Sequence, residues 1–120
     1  MNLLFLVVPT VAALAADAVD IYFTRKGIKA GNGVENNPVT VAVTGTNKPS
    51  VIQLALADEI WIAPAVIGGA LAHNALFYCA SAWLTVMVMK HLIGAHQWTN
   101  LAKGIVPKTQ ISALEKIIGL

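Results

Sequence analysis

Two apolar runs restrict this chain more than any motif does. The first, residues 2–23, carries only two charged residues, Asp17 and Asp20. As a helix it would be roughly 33 Å long at about 1.5 Å per residue, enough to cross a hydrocarbon core of about 30 Å. The second, residues 51–89, is 39 mostly apolar residues. One straight helix of that length would reach nearly 60 Å, about twice the core thickness, so the segment has to bend or fold back.

Composition agrees with a membrane solvent. Hydrophobic residues make up 57% of the 120 positions, charged residues only 12%, and mean hydropathy is +0.68. A water-soluble domain of this size exposes far more charge. Eight Lys and Arg against six Asp and Glu leave a formal charge of +2, too small to argue for nucleic acid, and no basic-aromatic recognition motif accompanies it. Cys79 is the only cysteine, which excludes an intrachain disulfide and a multi-cysteine metal site; its apolar neighbours make it a small packing residue.

The expected class is therefore an all-α membrane protein forming one integral domain. A first span covers residues 2–24, a polar loop 25–50, an apolar hairpin 51–90 and an interfacial, amphipathic tail 91–120. Ala13-Leu14-Ala15 before Ala16 resembles a signal-peptide cleavage site, but no Lys or Arg precedes the apolar run, so it reads as a retained span. Within the loop, the alternation of VTVAVTGT from Val39 suggests a short strand or extended segment, or else a dipping, partly buried loop. Lys48-Pro49-Ser50 resembles a helix start.

Two arrangements of 51–89 are open. In one, helices 51–69 and 72–90 turn at Gly68-Gly69 and all Lys and Arg lie on one side; in the other, a single span from Ile60 to Met89 bends at Pro64. The positive-inside rule favours the hairpin, whereas the cost of Asp58 and Glu59 in hydrocarbon, about 3 kcal/mol each, favours the bent span. Three spans are preferred, with the N-terminus outside and the C-terminus cytoplasmic. Beyond Lys90, His96 and Trp98 suit a headgroup region, and Ile111, Leu114, Ile117 and Ile118 share one face of a short C-terminal helix.

Polar residues inside the spans form stripes. Thr10, Ala13, Asp17, Asp20 and Thr24 recur every three or four residues and so share a helical face that should meet protein or water, not lipid. Asn74, Tyr78, Ser81 and Thr85 follow the same spacing in the later segment. Packing of one stripe on the other is the economical reading; a proton or cation site at Asp17 and Asp20 is the functional alternative, and Asp58 and Glu59 are candidate intramembrane carboxylates. His73, His91 and His96 form no i, i+4 pair and no HExxH set, so they carry no metal signature and read as structural or interfacial. No catalytic triad, phosphate loop or dinucleotide fingerprint is present, so neither an enzyme nor a cofactor is expected.

Asp20-x-x-x-Thr24 followed by Gly33-Val34-Glu35-Asn36-Asn37-Pro38 resembles a motif of small prokaryotic multi-span membrane proteins of unknown function. The resemblance covers roughly residues 3–40 and implies shared architecture without an activity. The polar loop after Pro38 departs from it, because there a span is expected soon after the proline. Within GNGVENNP, Gly33, Glu35, Asn37 and Pro38 should form a cap on the first helix, with Glu35 accepting from loop backbone or pairing with Arg25, Lys26 or Lys29.

The expected role is a non-enzymatic structural or accessory subunit of a larger membrane assembly, cellular or in a lipid-containing virion. Its partners are then membrane lipids and other membrane chains or copies of itself, with no nucleic acid. The alternatives are an oligomeric pore, on a topology that resembles phage holins, and a small ion-coupled transport module.

Overall fold

The computed structural model describes residues 2–72 and 74–104. Those residues are all-helical: α1 spans Leu4–Lys29, α2 Pro38–Thr44, α3 Val51–Leu71 and α4 Ala75–Ala102. Three of them, α1, α3 and α4, are long and apolar enough to cross a membrane. The expected C-terminal amphipathic helix, and His73, lie outside the described residues.

The chain folds back after Leu71, so the hairpin replaces the single bent span. The reversal lies between Leu71 and Ala75, not at Gly68-Gly69, and Asn74 caps α4 by accepting the amide of Leu76. Gly69 instead lies inside α3 at a helix crossing: a Cβ there would sit 2.8 Å from Leu6 and 2.9 Å from Ala80. The glycine pair admits neighbouring helices; it does not turn the chain.

Both ends of the loop are set by local chemistry. After Lys29, Gly31 takes a left-handed conformation (φ 75°), its amide bonds Ile28 and that of Asn32 bonds Gly27, a Schellman stop to α1. Asn37 then accepts the amides of Val39 and Thr40 with Pro38 in the first turn, which starts α2. VTVAVT is consequently a helical turn and a half instead of the expected extended segment: capping at Asn37 and a left-handed Gly45 at the far end override its β-branched alternation. Ser50 and Gln53 form a reciprocal capping box at the start of α3, as Lys48-Pro49-Ser50 led one to expect.

Phe5 meets Ser81 near one end of the bundle, while Asp20 meets His91 and Gly27 lies under Trp98 toward the other, so α1 and α4 run parallel. α3 runs opposite to both, with Gly69 at Leu6. Leu6, Ala13, Ile62, Phe77, Leu84 and Met87 form the core, and Trp61 and Trp83 pack against it. Leu4, Val8, Val11, Leu56, Ile67 and Leu76 are exposed, as a lipid-facing surface requires. Proline in α1 has a consequence for this packing. Pro9 has no amide to give Phe5, and the freed Phe5 carbonyl accepts the Ser81 hydroxyl from α4.

Candidate functional site

The polar stripe of α1 faces the interior as its spacing requires. Ala13, Asp17 and Thr24 are buried, Thr10 returns its hydroxyl to the Leu6 carbonyl at 2.7 Å, and Thr24 donates to Asp20 at 3.4 Å. The α4 stripe lies elsewhere. Tyr78 and Thr85 are exposed, Asn74 is spent as a cap, and Ser81 is taken by Phe5, so the two stripes do not pack face to face. Cys79 also is exposed instead of packed.

What faces Asp17 and Asp20 from α4 is a different set of residues. His91 is fully buried, with Nδ1 2.9 Å from Asp20 Oδ2 and 3.7 Å from Asp17 Oδ1. Asp58 of α3 joins them: one ligand atom from each of Asp17, Asp58 and His91 lies within 4.8 Å of the others, and all three residues are buried. Gly94 makes the approach possible, because a Cβ there would stand 2.7 Å from Asp20 Oδ1. Lys90 is buried beside the cluster with its ammonium 4.9 Å over the Trp61 ring, within ion-pair distance of no carboxylate among the described residues. The Trp61 carbonyl in turn holds the Trp83 indole N–H at 2.8 Å.

Three of these polar atoms, Asp17 Oδ1, Lys90 Nζ and His91 Nε2, are buried without a hydrogen-bond partner among the described residues. Buried polar groups are normally satisfied, so three together mark a place built for more than packing. Glu59 stands apart, beside Thr10, Leu14 and Ile62 in a groove between α1 and α3.

A cavity of about 70 Å³ adjoins the cluster on the side of the loop. It is large enough to admit water. Asp20, Thr24, Glu35, Asn37, Asp58 and Lys90 all line it, so the two halves of the Asp20–Thr24 and Gly33–Pro38 pattern meet at one place. Glu35 is held there by its own amide on the Asn47 carbonyl at 2.8 Å and by its Oε1, which accepts the Asn37 amide at 2.8 Å. It forms no ion pair with Arg25, Lys26 or Lys29 among the described residues; Arg25 donates to the Pro49 carbonyl at 2.7 Å and ties α1 to the start of α3. Burial pushes the Glu35 carboxyl above its ordinary value of 4.5, against the pull of the Asn37 amide and with a further push from Asp20 and Asp58.

By rise per residue, Asp58 lies roughly 10 Å inside the start of α3, and Asp17 roughly 12 Å inside the Arg25 end of α1. Reading Lys90 as a boundary cation ended α4 too early and left His91 outside the span. The helix runs on to Ala102, and the seven-residue step Phe77, Leu84, His91 marks its inner face. That step was the signal available. No protein-family model, curated protein or solved structure matches the chain.

Proposed function

We propose that this multi-pass membrane protein handles a small cation, binding it among the side chains of its three long helices and exchanging it through the polar cavity under the loop. The observation that carries the reading is the convergence of Asp17 and Asp20 from α1, Asp58 from α3 and Lys90 and His91 from α4. An inert bundle has no use for them. Each charge at membrane depth costs a few kcal/mol on insertion scales, and small or apolar residues pack helices without that cost. Acidic groups outnumber Lys90 around the site, which favours a cation over an anion. Arg25, Lys26, Lys29, Lys48 and Lys103 lie toward the same end of the bundle, and the positive-inside rule makes that end cytoplasmic and the N-terminus external.

The test is cation flux in proteoliposomes, run over a panel of monovalent and divalent ions. Wild-type protein should conduct or exchange at least one ion well above protein-free vesicles. Asp58→Asn should abolish that flux, and Glu59→Gln, outside the cluster, should retain it. Full flux in Asp58→Asn, or none in wild type, would remove the reading.

The accessory-subunit role has one observation of its own. A groove of about 660 Å³ along α1 and α4, lined by Phe5, Val8, Ala12, Val88 and Met89 with Ser81 and Thr85, is a largely apolar surface of the kind another helix packs on. Native mass spectrometry from the source membrane tests it, through co-purification of a different chain at fixed stoichiometry. The pore alternative would need Asp17, Asp20 and Asn74 to face a shared lumen, whereas Asp17 is turned into its own bundle and Asn74 caps a helix.

A further inference from the structure

We infer that the cation is a divalent first-row transition metal ion, held by Asp17, Asp58 and His91 with Asp20 as the outer carboxylate that orients the imidazole. The inference deepens the reading above and rests on it for the site, while adding the class of ligand.

Geometry comes first. Asp17, Asp58 and His91 each offer one ligand atom within 4.8 Å of the other two, and Asp17 Oδ1 stands 3.7 Å from Nδ1, so seating one ion on Nε2 at about 2.0–2.2 Å per bond requires the Asp17 and His91 side chains to reorient. The elements are arranged for it: α1 and α4 run parallel and pack on each other, α3 packs against both in the opposite sense, and Gly94 lets Asp20 close on His91.

Unpartnered atoms point the same way, independently of the carboxylate cluster. The Asp17 side chain is 8% exposed and that of His91 1%, yet Asp17 Oδ1 and His91 Nε2 have no hydrogen-bond partner among the described residues. With Asp20 2.9 Å from Nδ1, the N–H belongs on Nδ1 and the ring lone pair on Nε2. Carboxylate on one nitrogen and metal on the other is how protein imidazoles bind metal, because the carboxylate fixes the tautomer and raises ligand basicity.

Charge and donor type select the ion. Asp17, Asp20 and Asp58 with the Lys90 ammonium carry two net negative charges when all are ionised, which a divalent ion cancels; a monovalent ion leaves one uncompensated in a low-dielectric interior. An imidazole among carboxylates suits zinc, manganese or iron(II), whereas calcium and magnesium prefer oxygen alone. No thiol lies near, since Cys79 is on the outer surface of α4.

The experiment uses the full chain in mild detergent, stripped with a chelator and titrated with cobalt(II) and then zinc(II). Cobalt should bind at one equivalent per chain with a visible d–d spectrum, be displaced by zinc, and survive a large excess of magnesium or calcium. Asp20→Asn, which leaves all three ligands in place, should weaken binding by about 10–100-fold. Asp58→Asn and His91→Gln should weaken it further, and Glu59→Gln, which removes no ligand, should weaken it least. Should a cluster variant fail to fold, X-ray absorption on the wild-type zinc form decides the matter, since the inference requires nitrogen and oxygen scatterers at about 2.0–2.2 Å with the signature of one imidazole. Substoichiometric binding, binding untouched by these substitutions, or a shell without imidazole would overturn it. Failure here beside an Asp58-dependent flux of another cation leaves the transport reading standing; tight metal binding without any flux removes transport and keeps the metal site.

Discussion

At the scale of single residues, a missing amide in one helix is answered by a hydroxyl in another. Pro9 frees the Phe5 carbonyl, and Ser81 supplies the donor. Neither residue is interpretable alone: Ser81 reads as one member of a stripe, and Pro9 gives no sign of which side chain answers it. Ser81→Ala should lower stability by about 0.6–1.5 kcal/mol, in the range of interhelical hydrogen bonds in membranes. Adding Pro9→Ala should recover most of that loss, because the amide at position 9 returns to Phe5. Unfolding curves in mixed detergent micelles for the two single variants and the pair would measure the coupling, and strictly additive losses would refute it. The same logic explains why His91 was missed. Its role depends on Asp20 and Asp17, 71 and 74 residues away in sequence, and no spacing within α4 names them.

At the scale of elements, the loop between α1 and α3 is a built structure. The Schellman stop at Gly31, the Glu35 brace and the Asn37-Pro38 cap account for GNGVENNP, a polar knot between apolar runs. Gly31→Ala should cost about 1–2 kcal/mol, since an alanine resists φ of 75°. Hydrogen exchange should locate the loss at residues 31–47 and leave α4 protected. The loop should also respond to pH with a definite sign. Because the Glu35 carboxyl is raised in the folded state, the ordered loop is favoured fully below the ordinary value of 4.5 and loses that advantage as pH rises through the raised value. Amide protection across 33–47, corrected for intrinsic exchange, should therefore increase on acidification, and Glu35→Gln should flatten the response. Protection that falls on acidification in wild type alone would reverse the assignment.

At the scale of the whole molecule, the arrangement of α1, α3 and α4 brings residues 30–50 and the end of α4 to one end of the bundle and the end of α3 with the start of α4 to the other. Single cysteines at Asn36 and Lys103, in a Cys79→Ser background, should react from the cytoplasmic side, and one at Leu71 from outside. Labelling of positions 36 and 103 from opposite faces would break the three-helix topology.

Much of this was already determined by the sequence alone. Run length and low charge make the chain a membrane helix protein, because backbone amides in lipid have to be satisfied within each segment. The three-to-four spacing of Thr10, Asp17, Asp20 and Thr24 marks the inward face of α1, and Lys48-Pro49-Ser50 marks the start of α3, since caps and faces are local properties. Tertiary structure decided the rest. It kept Gly68-Gly69 inside α3, with the reversal between Leu71 and Ala75, and carried α4 past Lys90. Above all it gathered Asp17, Asp20, Asp58, Lys90 and His91 at one place, beside a cavity that Asp20, Asp58, Lys90 and Glu35 line. Helical periodicity reports which face of a segment is polar; which faces meet depends on crossings at Gly69 and Gly94, where the bulk of an absent side chain sets how closely helices approach.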